Sequence, residues 1–526
     1  MVGRWTRRVG RLAAVAGLLG AVALSSAPRA EAGASLEEPA QQASSAALRY
    51  QWVPNATPAP PPPGGALAWR FRDLAERLEV TGEASLDDST RAELDAVLAR
   101  ASRRADVSFH ARDLATGAVL YDHHGARALN PASNQKVLTA AVALDVLGPG
   151  YTFETEVAQA GRTLVLRGTG DPSLDRDDLQ AMAVIVAEQV ELGDVERIVV
   201  DDSAFSDDRF GPGFSPEGDG AAHEAPSGAL SVDFNTVEVR VAPQRGEAQP
   251  RIEIDAVGAH VEVRNEARVG RRGAIAVRTF ADADRTVVSV RGTMSRRARA
   301  VVVRRRIHDP ALHAGTVFAA RLAEQWQAEP LPVQRGSMPD DAESLVVNES
   351  APLAEILDRG LAYSNNFIAE QVLRTMAWRL YDEPGTWDAG AEIIDAYWSA
   401  LGRTDDAVID NGSGLSRRGR LTAAGLVDVL LAAHRGDDPA LLEALPVSGE
   451  PGTMRARMRR SAGRVHAKTG TLNGVSGLSG VLTDDAGAPV VAFSILVNAH
   501  HAPAMPAASR RAIEDKVALT LLKSVD

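Results

Sequence analysis

A chain of 526 residues is too long for one hydrophobic core, so two to four domains are expected. Its 69 acidic residues outnumber 57 basic ones, giving a formal net charge of −12; this argues against general nucleic-acid binding, which needs a basic face. There is no cysteine, which excludes a structural disulfide, a thiol nucleophile and a thiolate zinc site.

Arg4, Arg7, Arg8 and Arg11 precede a short apolar stretch over 12–24, and Ala30-Glu31-Ala32 then offers small residues. This is the pattern of a signal peptide over 1–32, too short in its apolar part for a stable membrane span, and it implies an exported, periplasmic protein. Residues 33–66 carry few structure signals, and Pro60 to Pro63 followed by Gly64-Gly65 reads as a stiff-then-flexible linker. No later segment is long and apolar enough to span a bilayer.

The stretch 67–104 reads as helical, broken near Thr81-Gly82. Runs at 107–111 and 118–121 around Thr116-Gly117 give a hairpin signal. Asn130-Pro131-Ala132-Ser133 is a helix start, 135–147 has helical apolar spacing, and Gly148 is a C-cap candidate. From 155 to 305 short strand-like runs dominate, at 163–166, 198–200, 237–241 and 286–290, with the turn cluster Gly168-Thr169-Gly170-Asp171-Pro172 among them. Helical patterns return at 311–327, 352–363, 366–380 and 389–401. Strand patterns follow at 464–471, 477–483 and 490–497, then an amphipathic helix with Ile513, Val517 and Leu521 at helical spacing. The expected fold class is α+β: an antiparallel sheet flanked by helices, contributed by 67–154 and 306–526, and interrupted by a mostly β insertion over 155–305.

Three short motifs carry the chemistry. Ser133-Asn134-Gln135-Lys136 is S-x-x-K, Ser364-Asn365-Asn366 is S-x-N, and Lys468-Thr469-Gly470 is K-T-G. Ser133 stands at a helix start, where free N–H groups and the positive dipole end favour developing negative charge. Lys136, three residues on, shares its helix face and can take the hydroxyl proton if its pKa is lowered. The bland alternative is an N-capping serine beside a solvated lysine. Lysine usage weighs against it. Arginine dominates the basic residues, and two of the four lysines, Lys136 and Lys468, sit in these motifs. Arginine cannot lose its proton in a protein, so a site needing a titratable amine must keep lysine.

Ser364 and Asn366 can both face a cleft from a turn, to relay a proton to the leaving amine and to bond the substrate amide; the bland reading is a plain N-cap. Gly470 would let a ligand backbone approach closely. Lys468 and Thr471 can attract a terminal carboxylate, and the Thr471 N–H with that of Ser133 can form an oxyanion hole. Thr469, Gly470 and Thr471 are thus the substrate-binding candidates, beside the catalytic candidates Ser133, Lys136, Ser364, Asn366 and Lys468. No metal or cofactor is expected.

The sequence resembles the penicillin-recognising serine enzymes, and within them the D-alanyl-D-alanine carboxypeptidases with endopeptidase activity of peptidase family S13, the low-molecular-mass class C penicillin-binding proteins of the penicillin-binding protein 4 type. The resemblance runs over about 105–500. It rests on the three motifs and on Gly168-Thr169-Gly170-Asp171-Pro172-Ser173-Leu174, Asp410-Asn411-Gly412-Ser413-Gly414-Leu415-Ser416 and His466-Ala467-Lys468-Thr469-Gly470-Thr471-Leu472-Asn473-Gly474. It implies a transpeptidase-like domain with an insertion, acylation of Ser133 by the penultimate D-Ala of a peptidoglycan stem peptide, Lys136 as base, and Ser364, Asn366 and Lys468 completing the site. It also implies acylation by β-lactams. A β-lactamase-like hydrolase would need a fast deacylating base, and no E-x-x-L-N motif follows Ser364. A non-catalytic peptidoglycan-binding scaffold would not need all three motifs intact.

Overall fold

The computed structural model describes residue 67 and residues 70–256, 260–271, 273–403, 407–500 and 505–525. The expected signal peptide and proline-rich linker lie outside the described residues. The expected helix over 67–104 is shorter than its pattern: a 3-10 turn at Glu76–Leu78 and extended chain precede α1 (Asp88–Ser102). The helix starts where the Asp87 carboxylate accepts from the Thr90 amide at 2.9 Å. Leu94, Leu98 and Ala101 lie on its buried face. Strands β1 (Ala105–Asp113) and β2 (Val119–His123) pair as the anticipated hairpin. A 3-10 turn at Ala132–Asn134 then leads into α2 (Gln135–Leu147), whose first nine residues are all buried. A helix apolar all round belongs in a core.

The chain next enters β3 (Glu154–Ala160), β4 (Thr163–Gly168), α3 (Arg176–Gln189) and β5 (Arg197–Asp201). Seven short strands follow: β6 (Thr236–Ala242), β7 (Arg251–Ile254), β8 (Val261–Asn265), β9 (Arg268–Gly270), β10 (Ile275–Asp282), β11 (Arg285–Ser295) and β12 (Val301–Arg306). Then come α4 (Pro310–Trp326), β13 (Val333–Arg335) and β14 (Glu343–Glu349). Beyond them lie α5 (Leu353–Ala362), α6 (Asn366–Tyr381), α7 (Trp387–Ala400), α8 (Ala423–Arg435) and the one-turn α9 (Ala440–Glu443). Strands β15 (Val465–Leu472), β16 (Val475–Thr483) and β17 (Pro489–Ala499), and the helix α10 (Ala507–Leu522), end the described chain.

The first sheet has the order β15-β16-β17-β1-β2 and is antiparallel throughout. Its two halves come from opposite ends of the sequence, with Phe109 opposite Ile495. Both faces are covered. On one, Leu94, Leu98, Phe493, Val517 and Leu521 share a core; on the other, Val137, Leu138, Leu430, Ala492 and Leu496 do. This is why β16 is buried at every position instead of alternating.

The second sheet has the order β13-β5-β4-β3-β14. Strands β4 and β5 run parallel, which requires a crossover, and α3 supplies it. That helix was not anticipated. Its signals are nonetheless present: Leu179, Met182, Ala183 and Val186 are its buried residues, and Asp175 with Asp178 forms a capping box. Helix α4 was anticipated, but its Ala311, Ala314, Phe318 and Leu322 pack into this sheet's core beside Leu164, Leu166 and Val200. The remaining strands form sheets of order β12-β6-β7 and β10-β11-β8, with β9 on β11, around Val239, Val288, Val290 and Ile307. The segment between α2 and α5 is strand-rich, as expected, and carries these two helices as well. Its first and last strands pair, with Glu154 opposite Glu349, so the chain departs and returns at one place.

Candidate active site

Three elements far apart in sequence meet at one point. The turn Ala132–Asn134 heads α2, the link between α5 and α6 carries Ser364 and Asn365, and β15 carries Lys468. Two of these positions are strained. Ala132 has φ 47° and Ser364 has φ 57°, both in the left-handed region that side chains avoid. Asn365, not Ser364, is the N-cap of α6, accepting from the Ile368 amide at 3.3 Å. That leaves the Ser364 hydroxyl free for the site.

Lys136 is buried, with 2% of its surface exposed. Its Nζ donates to Ser133 Oγ at 3.1 Å, to Asn366 Oδ1 at 2.7 Å and to the Ser413 carbonyl at 2.8 Å. Burial lowers its pKa to about 7, and the carboxylate of Glu370 opposes that shift. Burial is the dominant cause. Lys468 is fully buried, and its Nζ donates to Ser364 Oγ at 2.8 Å and to the Thr469 carbonyl at 2.7 Å. Burial, and after it the charge of Lys136, hold this amine well below the usual lysine range. Its hydrogen bonds run to Ser364 and to its own strand.

At Gly470 the protein itself comes close, because a Cβ there would lie 2.5 Å from Asn134 Nδ2 and 2.8 Å from the Pro131 carbonyl. Glycine is needed so that the turn bearing Ser133 can lie directly on β15. Opposite it in the ladder, Gly477 meets Asn134 Nδ2 in the same way. Thr469 is buried and Thr471 is exposed at the end of the strand.

Helix α6 extends the site. Asn366 Nδ2 donates to the His223 carbonyl at 2.9 Å, so the strand-rich segment reaches the site. Further along, the buried Arg374 donates to the carbonyls of Ser206, Asp208 and Gly385 at 2.7, 2.9 and 3.0 Å and lies over the rings of Phe205 and Trp387. Gln371 donates to the Gly228 carbonyl at 2.9 Å and accepts from Ser227 Oγ at 2.5 Å. Sequence reasoning singled out neither residue; Gln371 and Arg374, flanking the apolar pair Val372-Leu373, were the available signal. A surface recess lined by Asp73, Glu76, Arg77 and Arg435 contains none of the motif residues.

The arrangement provides a half-buried hydroxyl beside an amine of lowered basicity, and a second hydroxyl bonded to a second such amine. The D-Ala-D-Ala carboxypeptidase 3 (S13) family profile matches residues 90–519. A D-alanyl-D-alanine carboxypeptidase of Actinomadura sp. (strain R39) is 36% identical over 467 residues, covering 82% of this chain and 84% of that one. The D-alanyl-D-alanine carboxypeptidase DacB of Haemophilus influenzae is 24% identical over 433 residues, 78% of this chain and 88% of its own. In three dimensions the crystal structure of penicillin binding protein 4 from Haemophilus influenzae matches with a TM-score of 0.70 at 22% identity, over 82% of this chain and 99% of that chain, which shows the α+β fold.

Proposed function

Because the chain belongs to the D-Ala-D-Ala carboxypeptidase 3 (S13) family, we propose that it is an exported serine D-Ala-D-Ala carboxypeptidase and D,D-endopeptidase that works through an acyl-enzyme on Ser133. The observation that carries the reading is the hydrogen bond between Lys136 Nζ and Ser133 Oγ on an amine whose pKa is lowered to about 7. In its neutral form Lys136 takes the hydroxyl proton as Oγ attacks the carbonyl of the penultimate D-Ala. The N–H groups of Ser133 and Thr471 receive the developing oxyanion. Ser364, bonded to Lys468, passes a proton to the departing amine, and the C–N bond breaks. Water then attacks the ester, releasing the shortened peptide and restoring the serine.

Substrates are peptidoglycan stem peptides ending in D-Ala-D-Ala, and β-lactams acylate the same hydroxyl. Asn366 orients the substrate amide, and Thr469 and Thr471 line the terminal carboxylate. Neither a metal nor a cofactor enters these steps. Residues 1–32 direct export, 33–66 form a proline-rich linker, and 154–349 form an inserted region, a longer span than the sequence pattern suggests because α4, β13 and β14 share its sheet and core. Incubation of the purified protein with a peptide ending in D-Ala-D-Ala tests the reading. Release of one D-Ala per peptide, abolished by prior penicillin treatment, is expected; an intact peptide beside protein that fails to bind penicillin overturns it.

A further inference from the structure

Glu370 lies one turn along α6 from Asn366 and is 1% exposed. A carboxylate in that position is costly unless it is fully hydrogen-bonded. One oxygen accepts from the Ser413 amide at 3.0 Å. The other accepts from the Gly412 amide at 3.0 Å and from Trp387 Nε1 at 2.9 Å. All three partners are donors. These N–H donors and the Ser413 hydroxyl favour the ionised form, while burial pushes the carboxyl up.

The peptides it holds are those that touch Lys136. The Ser413 carbonyl accepts from Lys136 Nζ at 2.8 Å, while the same residue's amide is fixed by Glu370. The Gly412 carbonyl accepts from Thr139 Oγ1 at 2.8 Å, tying the loop to α2 as well. Gly412 is required for this seating, since a Cβ there would come within 2.5 Å of the Ala369 carbonyl on α6.

We infer that Glu370 is a positioning residue for the reaction: it clamps the 412–413 peptides so that the Ser413 carbonyl aims Lys136 at Ser133, and its charge raises the pH at which that lysine becomes a base. The inference rests on the assignment of Lys136 as base. The groups facing Lys136 are Glu370 and Asn366 from α6, Lys468 from β15, Ser133 from its own turn and the Ser413 carbonyl. Glu370 is the anion among them. Its removal must lower the lysine's pKa further, because the charged amine loses its stabilising partner.

The test is the pH profile of penicillin acylation for wild type, Lys136→Arg and Glu370→Gln, each with a melting curve. The wild-type rate rises with pH about a midpoint near the Lys136 value. In Glu370→Gln the midpoint moves to lower pH by roughly one unit, and the plateau falls about tenfold or more from the loosened geometry. A merely structural carboxylate would lower the melting point and the plateau but leave the midpoint in place. An unmoved midpoint in folded Glu370→Gln, with Lys136→Arg inactive, overturns the inference alone. Full acylation by Lys136→Arg overturns the base assignment beneath it. Should Glu370→Gln not fold, Trp387→Phe removes one donor while keeping a ring beside Arg374. The carboxylate keeps its charge there, so the plateau falls while the midpoint stays in place, and an unchanged plateau in folded protein overturns the inference.

Discussion

Lys136 Nζ and Asn366 Oδ1 stand 2.7 Å apart although 230 residues separate them in the chain. The amide is oriented by its other end, which donates to the His223 carbonyl at 2.9 Å, so its oxygen must face the lysine. One side chain thus joins the base, α6 and the strand-rich segment. Asn366→Ala should leave a buried amine short of an acceptor and slow acylation, at a stability cost of about 1–3 kcal/mol. Asn366→Asp should place a carboxylate beside Lys136, raise the lysine's pKa and move the acylation midpoint to higher pH. Rate–pH profiles of both variants check this.

The wild-type profile follows from the lowered Lys136 value. The amine must be neutral to accept a proton, so acylation falls as pH drops through about 7 and reaches a plateau above it. Stopped-flow acylation between pH 5 and 9 measures this. A rate independent of pH across that window would exclude Lys136 as the titrating base.

Lys136→Arg should reduce acylation by ~10²–10⁴-fold, the usual contribution of a general base. The site is buried and three acceptors already surround Nζ, so the larger guanidinium should also destabilise the fold by about 1–3 kcal/mol. Rates are therefore compared well below the variant's melting temperature.

Gly470→Ala is expected to act at a distance from any ligand. The added methyl meets Asn134 Nδ2 and the Pro131 carbonyl, so the Ser133 turn must lift from β15. A stability loss of about 1–3 kcal/mol, with slowed acylation, is the expected result from denaturant titration and penicillin labelling. Normal stability with a raised KM for peptide alone would return Gly470 to a ligand-facing role.

Arg374→Met tests how firmly the strand-rich segment is held. Losing the guanidinium removes a donor from the carbonyls of Ser206, Asp208 and Gly385, and each lost hydrogen bond costs about 0.5–1.5 kcal/mol. A denaturant midpoint unchanged from wild type would contradict this pinning.

Much of the site was legible in the sequence because its chemistry is written in short local words. Ser133 and Lys136 are one turn apart, and Lys468 and Gly470 share a face of one strand, so spacing alone places each pair. The α+β class followed from helical runs before a terminal set of strands. What could not be read was contact between distant segments. Glu370 looks like any acidic residue in a helical run, and only the folded loop 412–413 gives it partners. Helix α3 was hidden among short strands, though its capping box was present in Asp175 and Asp178. The packing at Gly470 was hidden for a related reason: the sequence shows a place for close approach, but not that the turn beside Ser133 lies there.

The most direct measurement is the location of the penicillin adduct. Trypsin cleavage after Arg127 and Lys136 yields a peptide over 128–136 in which Ser133 is the single hydroxyl residue. Mass spectrometry of folded, penicillin-treated protein should find one added penicilloyl group, on that peptide and at Ser133. An adduct on any other residue, or none on folded protein, would contradict the account.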